Sequence, residues 1–519
     1  VRANSVCIVL VILTAVGALA FRLPSLSSRV FHGDEANQAF KAGILLEAGE
    51  YRYDPLEHHG PTLYYLARIS TGLSGVKTFA ETSESMYRIV PVLFGAAVVL
   101  LLLLIRDGLG NRAVFYAALL TAVSPAMVYY SRYFIQEMLL VFFTLAAIAT
   151  GWRYAQSRRV GWAIACGAAL GLMHATKETC VLAYAAMVIA LVSVIWWERR
   201  GSAQDTPWWK NVKHVHVALG CAVAAVISVV LFSSFFSHAR GPLDSILTYV
   251  TYLQRAEGEG SSASHAKPWY YYLSLLAYTK YAPGPWWSEG MILALAAVGY
   301  VRVFVLRGED DGVQSFQRFV GIYTLVLTIA YALIAYKTPW SMLSFLHGLI
   351  LMAGIGAAGL IHGPKRKPLQ VLACVVLAWG AVHLCVQAVR ANGDYAADPR
   401  NPYAYGHTSW AIARLAERAE GLAAVHPDGY DMPVLIVAPN HDYWPIPWYL
   451  RRFSAVAYVD DIPSNLDAPF ILATPDLHAR LEPLLPGHLR EGHGLRPAVF
   501  MSAYIDRGLW DEYLAAQSP

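Results

Sequence analysis

The chain has 519 residues, 56% of them hydrophobic and only 15% charged, with a formal net charge of +4. A soluble protein carries about a quarter charged residues, so this composition excludes an ordinary soluble enzyme. So small a net charge leaves no electrostatic footprint for nucleic acid. Apolar runs of about 18–22 residues, each long enough to cross a bilayer, define a polytopic helical membrane protein instead.

Taken in chain order, the apolar runs predict about eleven spans, near 3–21, 89–105, 113–130, 137–153, 161–176, 179–197, 215–236, 289–306, 318–336, 341–361 and 369–389. The first begins after Arg2 and contains Ala18-Leu19-Ala20, a cleavage-like pattern, so residues 1–20 are either a signal peptide or a retained helix. Both place residue 22 outside. Basic clusters alternate along the chain: Arg106 and Arg112; Arg153, Arg158 and Arg159; Arg199, Arg200, Lys210 and Lys213; Arg302 and Arg307; Lys365 to Lys367. They mark the cytoplasmic side, which puts the N-terminus inside and the C-terminus outside a cell membrane. The six cysteines all lie in apolar runs without metal-type spacing and read as small apolar core residues, not disulfides.

The opposite, outer connections hold nearly every unusual polar residue. The opening loop, 22–88, contains F-H-G-D-E-A-N-Q-A-F and H-H-G-P-T-L-Y-Y. Asp34 to Ala48 reads as an amphipathic helix with Phe40, Ile44 and Leu45 on one face. Thr62 to Leu73 reads as a second, with Leu63, Leu66, Ile69 and Leu73. Residues 258–264, G-E-G-S-S-A-S, read as a mobile loop. Residues 1–390 form the expected membrane domain. Residues 391–519 lack any membrane-length run and alternate helix with strand, a small extracytoplasmic α/β domain. Within it, helices are expected at 407–422, 476–485 and 508–516, and strands at 434–437 and 470–473.

Ionisable residues at membrane depth are costly and concentrate at functional sites. Asp34 either caps the helix that starts at Glu35 or serves as a general base, with Glu35 orienting it or helping hold a divalent ion. His58 and His59 precede Gly-Pro in an extended turn, suited to phosphate contact, metal ligation, proton transfer or headgroup contact. In S-R-Y-F-I-Q-E, Glu137 is a second carboxylate for one divalent ion shared with Asp34, or a plain helix cap; Arg132 is a phosphate contact. Lys177 and Glu178 occupy another tight outer turn, as site residues or as a pair that neutralise each other. Lys337, beside Trp340, is placed to snorkel or to hold a lipid phosphate. No Walker loop, zinc-protease or nucleophile-elbow pattern occurs.

H-G-D-E-A, H-H-G-P, Y-R-I-V-P-V-L-F-G, S-R-Y-F-I-Q-E, H-A-T-K-E-T, K-T-P-W and N-P-Y-A-Y-G-H-T-S, in this order, resemble the GT-C glycosyltransferases. The resemblance is to the protein O-mannosyltransferase and aminoarabinose-transferase branch, and within it to a prokaryotic subgroup labelled flippase-activity-associated in surface glycosylation. It implies a mainly α, GT-C-type membrane fold, a retained first helix, and a polyprenyl-phosphate sugar donor. Transfer would occur on the outer face, with inversion, to a glycan, lipid or protein acceptor. It makes Asp34 the general base and Glu137 the residue of the metal (Mg2+ or Mn2+) or donor phosphate. The histidine turn stands where the branch has Lys-Pro-Pro, leaving Arg132, Lys177 or Lys337, with His58 and His59, to meet the phosphate. His32, Tyr133, Glu178 and Arg88 are the expected substrate contacts. The competing readings are a non-catalytic factor in translocation of lipid-linked sugars and a metal- or phosphate-binding assembly protein.

Overall fold

The computed structural model describes residues 2–55, 59–201, 211–256, 265–306 and 311–517. His58 and the tract 258–264 therefore lie outside the described residues. Among those described, eight helices are long and apolar enough to cross a membrane: Asn4–Arg22, Glu84–Leu109, Glu137–Ser157, Cys180–Arg200, His214–Phe232, Val313–Leu333, Pro339–His362 and Lys367–Asn392. Three shorter apolar helices, Asn111–Val123, Val160–His174 and Gly290–Phe304, stand at the other expected span positions. The protein is a multi-pass helical membrane protein. The expected span 113–130 is broken at Ser124, whose hydroxyl caps a second helix, Pro125–Tyr130. Pro125 has no N–H to continue the first ladder but suits the first position of the next.

The helix Leu343–His362 is buried along most of its length, against Asn111–Val123, Gly290–Phe304 and Asp311–Leu333. Small residues let these backbones touch. A Cβ at Gly299 would lie 2.1 Å from the Met352 carbonyl oxygen, and one at Gly356 2.0 Å from that of Leu295. Peripheral helices instead leave Val226, Val375, Trp379 and Val382 exposed, as lipid-facing surfaces require. All six cysteines are free. Cys7 and Cys180 are buried as expected, but Cys221 and Cys374 face outward from the two outermost helices.

Both amphipathic helices of the opening loop form, as Gly33–Ala48 and Thr62–Leu73. Their buried stripes differ from those expected. Ala36, Ala39, Ala42 and Leu46 line the first with Leu45, while Ile44 is exposed. Leu63, Tyr64, Ala67 and Thr71 line the second, and Ile69 and Leu73 remain outside. The small alanines win the interior because the helix lies close against its neighbours.

The chain after the last span ends in a five-stranded mixed sheet. In spatial order the strands are Val456–Val459, Val434–Val437, Phe470–Ala473, Val499–Asp506 and His488–Arg496. The first three are parallel and the last two join antiparallel. Helices Trp410–Val425 and Arg507–Gln517 pack together on one face. The continuous helix expected at 476–485 is instead three single turns, Pro475–Leu477, His478–Leu481 and Glu482–Leu484. Pro483 removes a ladder donor there. This sheet unit docks on the opening loop: Trp448 stacks on Phe31 at 4.4 Å, and its indole N–H donates to Glu84 Oε1 at 3.1 Å. Tyr449 accepts from the Phe31 amide at 2.9 Å.

Candidate active site

The helix Gly33–Ala48 presents its N-terminus beside the membrane bundle, and His32 caps it. His32 Nδ1 accepts from the Asp34 amide at 3.0 Å, and Nε2 lies 3.1 Å from the Tyr405 carbonyl oxygen. With Nδ1 accepting, Nε2 is the nitrogen that donates, to the Tyr405 carbonyl. The reading of Asp34 as the cap is thereby corrected. Its carboxylate is 49% exposed, accepts no hydrogen bond among the described residues, and stands 3.9 Å from a His32 nitrogen that is already accepting.

Glu35, one residue on, has the opposite environment. It is fully buried and accepts from Arg88 Nε and a second Arg88 nitrogen at 2.7 Å each, a two-pronged pair. Arg29 reaches both its oxygens at 3.3 Å. The amides of Phe134 and His32 donate at 2.9 and 3.2 Å. Burial alone would raise its pKa, but the Arg88 and Arg29 charges and these hydrogen bonds overcome it and hold the carboxyl at about 2. Glu35 is therefore a permanent anion that ties the opening loop to the Ser131–Glu137 turn, not a proton acceptor. Arg88, expected to touch substrate, is buried in the same knot and also donates to the Leu26, Arg29 and Val30 carbonyls.

Arginine charge exceeds acid charge here. Arg22 is fully buried and donates to the Ser131 hydroxyl and the Ala18, Thr121 and Ala122 carbonyls, with no carboxylate partner among the described residues. Arg132 donates to the Pro24 and Ser25 carbonyls, and burial followed by repulsion from Arg29 and Arg88 lowers its pKa to about 10. Arg29 and Arg88 thus hold the one buried glutamate, while Arg22 and Arg132 spend their donors on the Ser131 hydroxyl and on backbone carbonyls. Arg22 and Arg29 were not anticipated, although both stand in the segment that opens the outer loop.

The other expected residues are engaged elsewhere. Glu137, the first residue of its helix, is ion-paired with Lys177, and both are buried. Burial would lower the Lys177 pKa, yet the Glu137 charge raises it. Glu178 pairs with His59 Nδ1 at 2.8 Å rather than with Lys177. Burial works against its charge, and His59 lowers its pKa nevertheless. The histidine turn lies directly on the 174–179 turn: Thr62 donates to the Ala175 carbonyl through its amide at 3.0 Å and its hydroxyl at 2.7 Å. A Cβ at Gly60 would stand 2.2 Å from that oxygen and 2.8 Å from the Thr176 nitrogen. Backbone cannot yield as a side chain can, so Gly60→Ala is expected to destabilise the protein by roughly 1–3 kcal/mol. A clearly lower thermal unfolding midpoint in detergent would register this; an unchanged midpoint would mean that the two turns separate freely.

An aromatic wall flanks Asp34. The His32 ring packs against Tyr133, His407 and Trp340 at 5.4, 5.5 and 5.8 Å. Trp340 meets Tyr405, whose hydroxyl is 3.0 Å from His265 Nδ1. The Asp34 charge acts on both Tyr133 and His265. Tyr133 is buried beneath Arg29, whose guanidinium lies 4.5 Å from its ring centre. Trp340, Tyr405, His265 and His407 had no predicted role of their own; the K-T-P-W motif containing Trp340 and the N-P-Y-A-Y-G-H-T-S motif containing Tyr405 and His407 hinted at one. Lys337 is buried in a backbone bridge to the His265 segment, and its ammonium donates to the Ile334 carbonyl with no carboxylate partner among the described residues. Burial lowers its pKa.

The donor set does not fit a resident divalent cation. Asp34 is free, but Glu137, its expected co-ligand, is held by Lys177. Among the described residues no group of three or more histidine, cysteine, aspartate or glutamate side chains is arranged to hold one.

Residues 58–232 match the family model described as Dolichyl-phosphate-mannose-protein mannosyltransferase. No curated protein matches the chain. Among solved structures, it is similar to ArnT from Cupriavidus metallidurans bound to undecaprenyl phosphate, at 18% identity and a TM-score of 0.65, over 95% of this chain and 97% of that one. It is also similar to the archaeal oligosaccharyltransferase AglB from Archaeoglobus fulgidus in complex with an inhibitory peptide and a dolichol-phosphate. There the identity is 12% and the TM-score 0.56, over 91% of this chain and 70% of that one. The chain has the GT-C fold of these structures, and the family-model match runs from the opening outer loop to the end of the helix His214–Phe232.

Proposed function

We propose that the protein is an integral-membrane glycosyltransferase that moves a sugar from a polyprenyl-phosphate donor to a lipid, glycan or protein acceptor on the extracytoplasmic face, with inversion. The observation that carries the reading is the contrast at the helix N-terminus: a free, half-exposed Asp34 beside a knot with more arginine than acid. Asp34 accepts the proton of an acceptor hydroxyl as its oxygen attacks the anomeric carbon. The bond from that carbon to the phosphate oxygen breaks, and polyprenyl phosphate leaves. Negative charge grows on the departing phosphate, where the Arg132 guanidinium and the field of Arg22, Arg29 and Arg88 oppose it. In this reading the N-terminus is cytoplasmic, and the C-terminal sheet unit is extracytoplasmic and helps bind substrate.

Lys337 is the lysine of the expected set with no acid to neutralise it among the described residues; Lys177 has Glu137. It turns its ammonium from the Ile334 carbonyl to the donor phosphate. Lys337→Gln is therefore expected to lower kcat/KM for the donor by about ten- to hundredfold, the worth of a hydrogen bond to a charged group. Steady-state kinetics with varied donor would read it, and an unaltered kcat/KM would remove Lys337 from the phosphate site.

The test of the activity itself is release of polyprenyl phosphate. Purified protein is given a panel of polyprenyl-phosphate monosaccharides with a crude membrane acceptor extract. Acceptor-dependent release from one donor supports transfer. No release from any donor by folded protein overturns it in favour of translocation.

A further inference from the structure

The C-terminal sheet carries a polar cavity of about 520 Å³ that shares no lining residue with the surroundings of Asp34. Pro475, His478, Arg490, Gly492, Phe500 and Ser502 contribute to its wall. It opens beyond the carboxyl end of the strand Phe470–Ala473, the edge at which open α/β sheets receive ligands. Ser502 pairs with Ala473 on one side and Gly492 on the other, so these three positions share one face of the sheet. Leu477, Leu481 and Leu485 cover that face over Ile471 and Ala473. Past them the face turns polar.

The polar groups there are poorly satisfied. Ser502 is 4% exposed, and its hydroxyl has no hydrogen-bond partner among the described residues. His478 Nε2 and, just behind it, Thr474 Oγ1 are buried without a partner. Buried polar atoms are almost always paired with protein, water or ligand, so the unpaired imidazole of His478 and the unpartnered Ser502 hydroxyl, both in the cavity wall, leave hydrogen-bonding capacity for a ligand. Phe500 stands at the rim with 59% of its surface exposed. Arg490 supplies the lysine or arginine charge of the lining, and Glu482 already balances it.

We propose that this cavity is a saccharide subsite. A neutral sugar ring lays its apolar face on Phe500 and directs hydroxyls to Ser502 and His478. Hydroxyls both donate and accept, which suits a serine hydroxyl and an imidazole together. A phosphate would need an unbalanced cation, and Arg490 is not one. The subsite holds part of a glycan outside the reacting centre, and its geometry does not depend on the chemistry assigned to Asp34.

Gly492 provides the test. A Cβ there meets nothing within 4 Å, so a side chain can start from this position, and Gly492→Trp places an indole at the cavity wall. Full-length protein in detergent is titrated with neutral linear trisaccharides of mannose, glucose and galactose, followed by saturation-transfer NMR. Inorganic phosphate is the competitor. Wild type and Asp34→Asn are expected to bind at least one trisaccharide equally. Gly492→Trp, with an unchanged unfolding midpoint, should weaken it by about tenfold or more, and so should Ser502→Ala to a smaller degree. Phosphate should not displace it. The proposal is overturned by absence of trisaccharide binding, by equal binding in Gly492→Trp, by loss in Asp34→Asn, or by displacement with phosphate.

Discussion

Asp34→Asn protein is expected to fold like the wild type and to lose turnover by about 10²- to 10⁴-fold, the range for removal of a general base. The two halves of this expectation have separate causes. The carboxylate accepts no hydrogen bond among the described residues and is half exposed, so the isosteric amide removes no structural contact. The helix cap stays in place because His32, not Asp34, supplies it. An amide, however, cannot take a proton from an acceptor hydroxyl. Polyprenyl phosphate release and the thermal unfolding midpoint, measured on the same preparation, read the two halves independently. Turnover near the wild-type rate would discard the role of Asp34 while leaving the enzyme class intact.

Glu35→Gln should do the reverse and fail as a fold. The substitution leaves Arg29 and Arg88 buried without their anion, and breaking a buried pair in this way destabilises by about 3–5 kcal/mol. The same carboxylate gives a pH signature. Its folded pKa, about 2, is depressed below the ordinary value of 4.5, so its stabilisation is complete above that ordinary value. It is lost as pH falls from there through the folded pKa, a loss of about 3 kcal/mol. The wild-type unfolding midpoint in detergent should fall across this window, and a Glu35→Gln protein, if recovered, should lack that part of the fall. A Glu35→Gln midpoint equal to wild type would show that the arginines find other partners.

The membrane architecture was legible because each span is a long apolar run set off by basic clusters, and all the expected segments are helical. Strands 434–437 and 470–473 were legible as short apolar runs between turns. The hairpin His488–Arg496 with Val499–Asp506 was not, because one strand is mostly polar and the turn depends on Ala498 in a left-handed conformation. The Asp34–Glu35 pair announced chemistry, but nothing local divides its labour. Glu35 owes its role to Arg88, 53 residues away, and to the Phe134 amide, 99 residues away. Likewise Glu137 and Lys177 are 40 residues apart, and Glu178 and His59 are 119 apart. Pairings at such separations follow from how the bundle packs. Histidine as a helix cap escaped notice because serine, threonine, aspartate and asparagine are the usual caps.

The most direct measurement is single-turnover release of polyprenyl phosphate from donor-saturated Asp34→Asn protein, with acceptor in excess and the fold confirmed by its unfolding midpoint. Donor is expected to bind as in the wild type, with release slowed by about 10² or more. Release at the wild-type rate from bound donor would contradict this expectation.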